Sequence, residues 1–390
     1  MSRWITAIIL CLLAPLALAQ GDAAAKADSL YQSGNRLDAL PIYEELARAN
    51  PKEPLYAERL AVCLYAQSAS MEAGPVRKEL LEKIQAEAKT AVALGSQENA
   101  ALVIANFDLS LVGSEKGETL AKAIWRSGEP YFGKRDYKGA LDRYAAAAEL
   151  DPKVVEPALF AGDAAQFAGD LPSAARWYRK AVQIDPHNAK AYARWGDAIV
   201  RIAHDADGAK AKYIDAIVAN PGDPQGWNGL STWAQAHGAV LAAPKIKPPS
   251  GGMEMFKAMG HDASSRSPWA AYVVNKFAYE TNAKASPIGT FHQDYPGEEK
   301  ARRSLLGETK ALHATAVEAA SEAEKQGKPI EEFRDLIEVD KTGLLECWVL
   351  FRWADEGMAH EYMQFSKDHW EKLHEYIERF EIHGGNGAGE

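Results

Sequence analysis

Apolar and polar positions in this chain keep a helical beat almost from end to end. Between Val155 and Asn188 the apolar residues fall at three- and four-residue steps in two blocks, VEPALFAGDAAQF and LPSAARWYRKAVQI, separated around Gly169-Asp170. That spacing predicts two amphipathic helices joined by a tight turn. Asp185-Pro186 closes the second helix, because proline cannot donate the next helical hydrogen bond. The whole pattern then repeats. Gly128, Gly162 and Gly196 stand 34 residues apart, and Ala140/Ala174, Tyr144/Tyr178, Ala147/Ala181 and Pro152/Pro186 keep the same step. A third copy follows with one residue inserted, giving Ala209, Tyr213, Ala216 and Pro221. A period of this length describes one helix-turn-helix unit stacked on itself.

The clearest units run over 121–154, 155–188 and 189–223. Near the start, GNRLDALPIYEELARANP sets Ala39, Tyr43, Leu46 and Pro51 on the same template, and a degenerate unit with a long turn around Ser68–Pro75 fills 55–96. A last first-helix is expected near Gln225–His237. Pro130 falls in the middle of a first helix, where it should kink or shorten it.

Small Gly162, Ala174 and Ala181, aromatic Tyr178 and terminal Pro186 resemble the tetratricopeptide repeat. The resemblance implies an all-α superhelical solenoid over residues 22–243, with a concave groove that binds a peptide or helix of a partner protein. Carried over position by position, the groove would be lined by Trp125, Glu129, Phe132, Leu159, Asp163, Gln166, Ala193, Asp197 and Arg201. Glu129, Asp163 and Asp197 again fall 34 apart, with Asp28 in the equivalent place of the first repeat. An acidic stripe bounded by Trp125 and Phe132 would suit a basic or amine-bearing segment with an apolar anchor. The plainer alternative is the polar face that any surface helix shows. The family's clamp for C-terminal carboxylates needs Lys, Asn and Arg where this chain has acids, so that activity is not carried over.

Beyond residue 243 no family resemblance helps. A Pro/Gly-rich stretch, PKIKPPSGG, suggests a linker over 244–265. Helical patterns follow over 266–383: roughly 268–281, 298–325, 330–337 and 344–380, the last broken near Asp355-Glu356-Gly357. In it Tyr362, Phe365, His369, Leu373, Tyr376, Ile377 and Phe380 form an apolar seam that needs a packing partner. The tail, 384–390, is glycine-rich and expected to be flexible.

Seven of the ten histidines lie beyond Gly260, which raises the question of metal. Glu371 and His374 share a helix face, but a helical di-metal site needs a second such pair and more carboxylates. None is found, and no nucleophile elbow, phosphate loop or H-E-x-x-H motif occurs. The reading is therefore a non-catalytic protein without cofactors.

The first residues, MSRWITAIILCLLAPLALAQ, set a cation before a short apolar run that ends Ala17-Leu18-Ala19. This pattern predicts a cleavable leader over 1–19, cut after Ala19, and a periplasmic or secreted mature chain. The run is short of the roughly 20 residues of a membrane span, and no other stretch qualifies, so no integral span is expected in the mature chain. Losing Arg3 takes the formal charge one unit below the −10 of the full chain, a balance that disfavours nucleic acid. Cys63 and Cys347 remain: an oxidising compartment favours a bridge, apolar surroundings favour two buried thiols. Together these features describe an envelope scaffold with a protein partner. A metal-binding or catalytic C-terminal region and a chain self-associating through the 344–380 seam stand as the alternatives.

Overall fold

The computed structural model describes residues 21–113, 118–250, 252–260, 267–284 and 286–384. The leader expected over 1–19 and residues 385–390 of the expected tail lie outside them. The chain forms two compact units, Met1–Pro186 with Asp197–His204, and His187–Gly196 with Asp205–Glu390.

The first unit is a ladder of antiparallel helices: α1 (21–32), α2 (Arg36–Ala49), α3 (Pro54–Ala69), α4 (Pro75–Ala93), α5 (Asn99–Asn106), α6 (Leu120–Arg126), α7 (Glu129–Gly133), α8 (Tyr137–Leu150), α9 (Val155–Phe167) and α10 (Leu171–Ile184). Neighbours in sequence pack as neighbours in space, α2 on α3, α3 on α4, α8 on α9 and α9 on α10. The turns are built from the residues that mark them in sequence. Asp170 accepts the Ser173 N–H at 3.0 Å and Asp136 the Gly139 N–H at 2.9 Å, each filling one orphan donor of a helix start. Gly169 takes φ +79°, a left-handed conformation that glycine adopts without penalty. At the other end of α8, the Arg36 guanidinium donates to the carbonyls of Leu150 and Glu149 at 2.5 and 2.6 Å, satisfying a helix C-terminus that has no partners of its own.

Pro130 has the expected effect. The first helix of the 121–154 repeat stops at Arg126 and resumes at Glu129. The 34-residue glycines have a steric cause: a Cβ on Gly128 would lie 2.5 Å from the Tyr144 ring, and one on Gly162 would lie 2.6 Å from Tyr178. Each tyrosine fills the space its glycine leaves.

Helix α11 (Ala189–Ala198) is divided between the units. The second unit continues with α12 (Ala206–Ala219), α13 (Pro224–Ala236), β1 (Ala239–Leu241), α14 (Gly252–Met259), α15 (Trp269–Glu280), α16 (Phe291–Asp294), α17 (Leu305–Gln326), α18 (Arg334–Lys341), α19 (Leu345–Trp348), α20 (Ala359–Asp368), α21 (Trp370–Tyr376) and β2 (Ile382–Gly384). The third repeat's second helix, α12, is built into this unit. Tyr362 donates its hydroxyl to the Val218 carbonyl at 2.6 Å, and Trp370 donates its indole N–H to Asp215 at 3.2 Å. Strands β1 and β2 pair antiparallel, Val240 opposite His383, a small element the helical periodicity does not announce.

Three expectations change here. The 244–265 stretch lies inside the second unit; it buries Ile246, Pro248 and Pro249 and contains α14, so it is packed structure as much as connection. The helix expected from 298 begins at Leu305, because Ser304 caps it through the Gly307 N–H at 3.2 Å. The 344–380 seam is broken again at His369, and Tyr362, Phe365, Leu373, Tyr376, Ile377 and Phe380 are buried in their own unit. These six side chains find their packing partner within the chain.

At the centre of this unit Glu308 is 1% exposed. It accepts from Tyr272 at 2.6 Å, from the Trp353 indole at 3.0 Å, from Arg303 at 2.7 Å and from Lys276. Burial works to raise its carboxyl, but Lys276, Tyr272 and Arg303 together hold it below the usual carboxylate range. Cys63 and Cys347 are free and buried, and burial pushes each thiol up to about 12.

Candidate partner-binding face

The acids spaced 34 apart have a structural role that sequence spacing alone does not reveal. Tyr144 donates its hydroxyl to Glu129 at 2.7 Å, Tyr178 to Asp163 at 2.8 Å, and Tyr43 to Asp28 at 2.6 Å. In each case the acid precedes the tyrosine by 15 residues, which links the first helix of a repeat to its second. The Gln166 side-chain amide lies 2.8 Å from the same Tyr178 hydroxyl. Burial and the neighbouring carboxylate push the Tyr43 and Tyr144 hydroxyls far up, so they stay protonated and keep donating. The periodic tyrosine was legible in the sequence as a core residue; its hydroxyl's partner, 15 positions back, was the unread signal.

The expected lining residues therefore divide. Leu159, Gln166 and Ala193 are buried and contribute packing. Trp125, Phe132 and Asp163 are half-buried, while Glu129, Asp197 and Arg201 are exposed. Trp125 sets its ring edge-on to Phe160 at 5.6 Å, and its indole N–H has no acceptor among the described residues. Phe132 and Arg201 come together through a residue that was not expected, Phe167. Phe132 meets Phe167 edge-on at 5.4 Å, Tyr137 stacks on Phe167 at 5.5 Å, and the Arg201 guanidinium lies 4.3 Å from the Phe167 centroid. Phe167 is nonetheless 39% exposed. The first unit thus presents an aromatic platform edged by a cation.

A groove of about 1030 Å³ lies beside the Pro130 break, where α5 ends at Asn106. Leu102, Val103 and Leu111 form its apolar wall, and Arg126, Lys138 and Arg143 its basic one. Arg143 is committed to the Tyr131 hydroxyl at 2.7 Å.

The weak metal pair separates. His374 is bonded to Asp215 at 2.8 Å, and Lys212 reaches the same carboxylate at 2.7 Å. Burial pushes the Asp215 carboxyl up, but the hydrogen bonds from His374 and Lys212 prevail and hold it low. Glu371 is exposed and takes no part. Among the described residues no group of three or more His, Cys, Asp or Glu is placed to hold a metal ion.

The family described as tetratricopeptide repeat matches residues 24–83 and 128–189. Among solved structures, the first such domain of Spaghetti (RPAP3), bound to the HSP90 peptide SRMEEVD, is 24% identical over 30% of this chain and 91% of that chain, with a TM-score of 0.27. The Sgt2 domain from Aspergillus fumigatus is 26% identical over 30% of this chain and 78% of that one, TM-score 0.28. YrrB, described as having an unusual peptide-binding site, is 15% identical over 52% of this chain and 87% of that one, TM-score 0.25. Among curated proteins none matches.

Proposed function

The chain belongs to the tetratricopeptide-repeat superfamily, and we propose that it is a non-catalytic scaffold of the cell envelope that captures an extended or helical segment of a partner protein. The observation that carries this reading is the exposed ring of Phe167, held by half-buried Phe132 and Tyr137 with Arg201 against it. An aromatic ring held at the surface by two others loses little freedom on binding, so it serves as an anchor at low entropic cost. Glu129, exposed at one edge, favours a basic residue in the captured segment. The leader pattern over 1–19 supports export, and the acidic balance of the chain speaks against nucleic acid.

The test is binding of the full mature chain to an array of immobilised peptides in which basic and apolar positions are varied. Phe167→Asp should abolish capture with the circular dichroism spectrum unchanged. Glu129→Gln, which keeps the acceptor for Tyr144 and removes the charge, should erase the preference for basic peptides. Capture indifferent to both substitutions would rule out this face. The mass of the chain recovered from an envelope fraction tests export, since removal of 1–19 leaves Gln20 first.

A further inference from the structure

A second site, distinct from the aromatic platform, lies where five segments of the first unit converge. A cavity of about 290 Å³ opens there, at the lower end of the roughly 300–1,000 Å³ of small-molecule sites. Helix α2 brings Arg36 to it, α3 brings Glu58 and Arg59, and α10 brings Lys180. Glu98 and Glu149 complete the charged lining. Three cations and three carboxylates thus share one space. Among the described residues only one pair of them approaches as an ion pair: Arg59 Nε stands 3.9 Å from Glu58 Oε1, beyond hydrogen-bond reach.

The charges therefore do not satisfy one another. Glu58 is 6% exposed and takes a hydrogen bond from the Ser96 hydroxyl to Oε2 at 2.9 Å, while Oε1 accepts none among the described residues. Arg59 and Arg36 both lie over the Tyr31 ring, 4.2 and 5.2 Å from its centroid. Arg36 donates to the Leu150 and Glu149 carbonyls, but among the described residues no carboxylate bonds to either guanidinium. Lys180 donates to the Ala148 carbonyl at 3.3 Å, a long bond for a group with three donors. Burial raises the carboxyls of Glu58 and Glu149, with Glu98 adding to both, and lowers the Lys180 ammonium even with Glu149 nearby. Two guanidiniums gathered on one ring call for an acceptor, and a buried carboxylate short of donors calls for a donor.

We infer that this cavity binds a small zwitterion, an α-amino acid with an aliphatic side chain. Its ammonium would sit on Glu58 and Glu98, and its carboxylate on the guanidiniums of Arg36 and Arg59. The 3.9 Å gap between Glu58 and Arg59 requires the ligand's donor and acceptor to be close together, as they are when one carbon bears both. Val62, Ala100 and Pro152 form the uncharged wall, which suits the aliphatic side chain.

Calorimetric titration of the full mature chain with L-leucine, leucinamide and 4-methylpentanoate, at matched ionic strength, tests this. Leucinamide keeps the ammonium without the carboxylate, and 4-methylpentanoate keeps the carboxylate without the ammonium. Saturable one-to-one binding of L-leucine, about tenfold or more tighter than either truncated probe, is the expected result. Glu58→Gln keeps an acceptor for Ser96 and removes the charge. It should weaken L-leucine about tenfold and leave 4-methylpentanoate unchanged. Arg59→Gln should weaken L-leucine as much and leave leucinamide unchanged, a split that a merely structural loss would not give. Glu98→Gln, at an exposed position, should weaken L-leucine about threefold and keeps the test readable if the other variants fail to fold. No saturable heat with L-leucine would overturn the inference. So would a truncated probe that binds as tightly, or an affinity unchanged in the variants that fold.

Discussion

A tyrosine ring seated over a glycine is the smallest unit of this fold, and it recurs with the repeat. Replacing glycine inside a helix by alanine ordinarily gains up to about 1 kcal/mol, because alanine has less backbone freedom to lose. At Gly162 the sign should reverse. The new methyl would meet Tyr178 at 2.6 Å, and overpacking of this kind costs about 1–3 kcal/mol. Urea unfolding of Gly162→Ala measures the difference; a gain in stability would mean that the ring can move aside. The cysteines yield a second residue-scale expectation. Both thiols are free, buried and pushed up to about 12. The mature chain should therefore be inert to a thiol reagent when folded and release two equivalents, without reductant, when unfolded. One equivalent or none in the unfolded chain would mean that the thiols had been oxidised. The glycines and tyrosines were readable from their period, but the acid partner of each hydroxyl was not. An acid on a helix surface looks the same in sequence whether it faces solvent or a tyrosine from the next helix.

Among the elements, the broken first helix of the 121–154 repeat was foreseen from Pro130 alone. Pro130→Ala restores an N–H that can donate to a carbonyl one turn back and removes the ring's clash with it. This substitution should join α6 to α7, raising helical ellipticity and stabilising the chain by about 1 kcal/mol or more. If stability stays the same or falls, the break is held by packing rather than by the proline. Helix boundaries elsewhere followed local signals where a cap exists, as at Asp170 and Ser304. At the break at His369, periodicity ran straight through. A pattern of apolar positions records which face is buried and is silent about where a neighbouring element forces the axis to turn.

At the scale of the molecule, the second unit is organised around an ionised carboxylate with no solvent of its own. Glu308 lies below its ordinary range when folded, so its contribution is complete above the unfolded Glu value of about 4.3 and is lost as pH falls through the lower folded value. Acid titration followed by tryptophan fluorescence should report this, since Trp353 donates to the same carboxylate. Glu308→Gln leaves Lys276 and Arg303 facing a neutral group and should cost about 3 kcal/mol or more, with the acid transition flattened. A loss under about 1 kcal/mol would show that the cations relax into water and that the cluster is a surface feature in energetic terms.

By itself the sequence determined what is local and periodic: the all-α class, the 34-residue repeat, its turns, and the periodic glycines and tyrosines of its core. These follow from steric and hydrogen-bonding rules that act within a few turns of helix, so each copy states them again. Tertiary structure decided the rest. It assigned the third repeat's second helix to the same unit as the C-terminal helices, brought Phe132 and Arg201 together over Phe167, and buried Glu58 and Glu308 with unequal sets of partners. The reason is physical. Burial of a charge and the exposure of an aromatic ring depend on elements far apart in the chain, and no repeat period encodes which of them will meet.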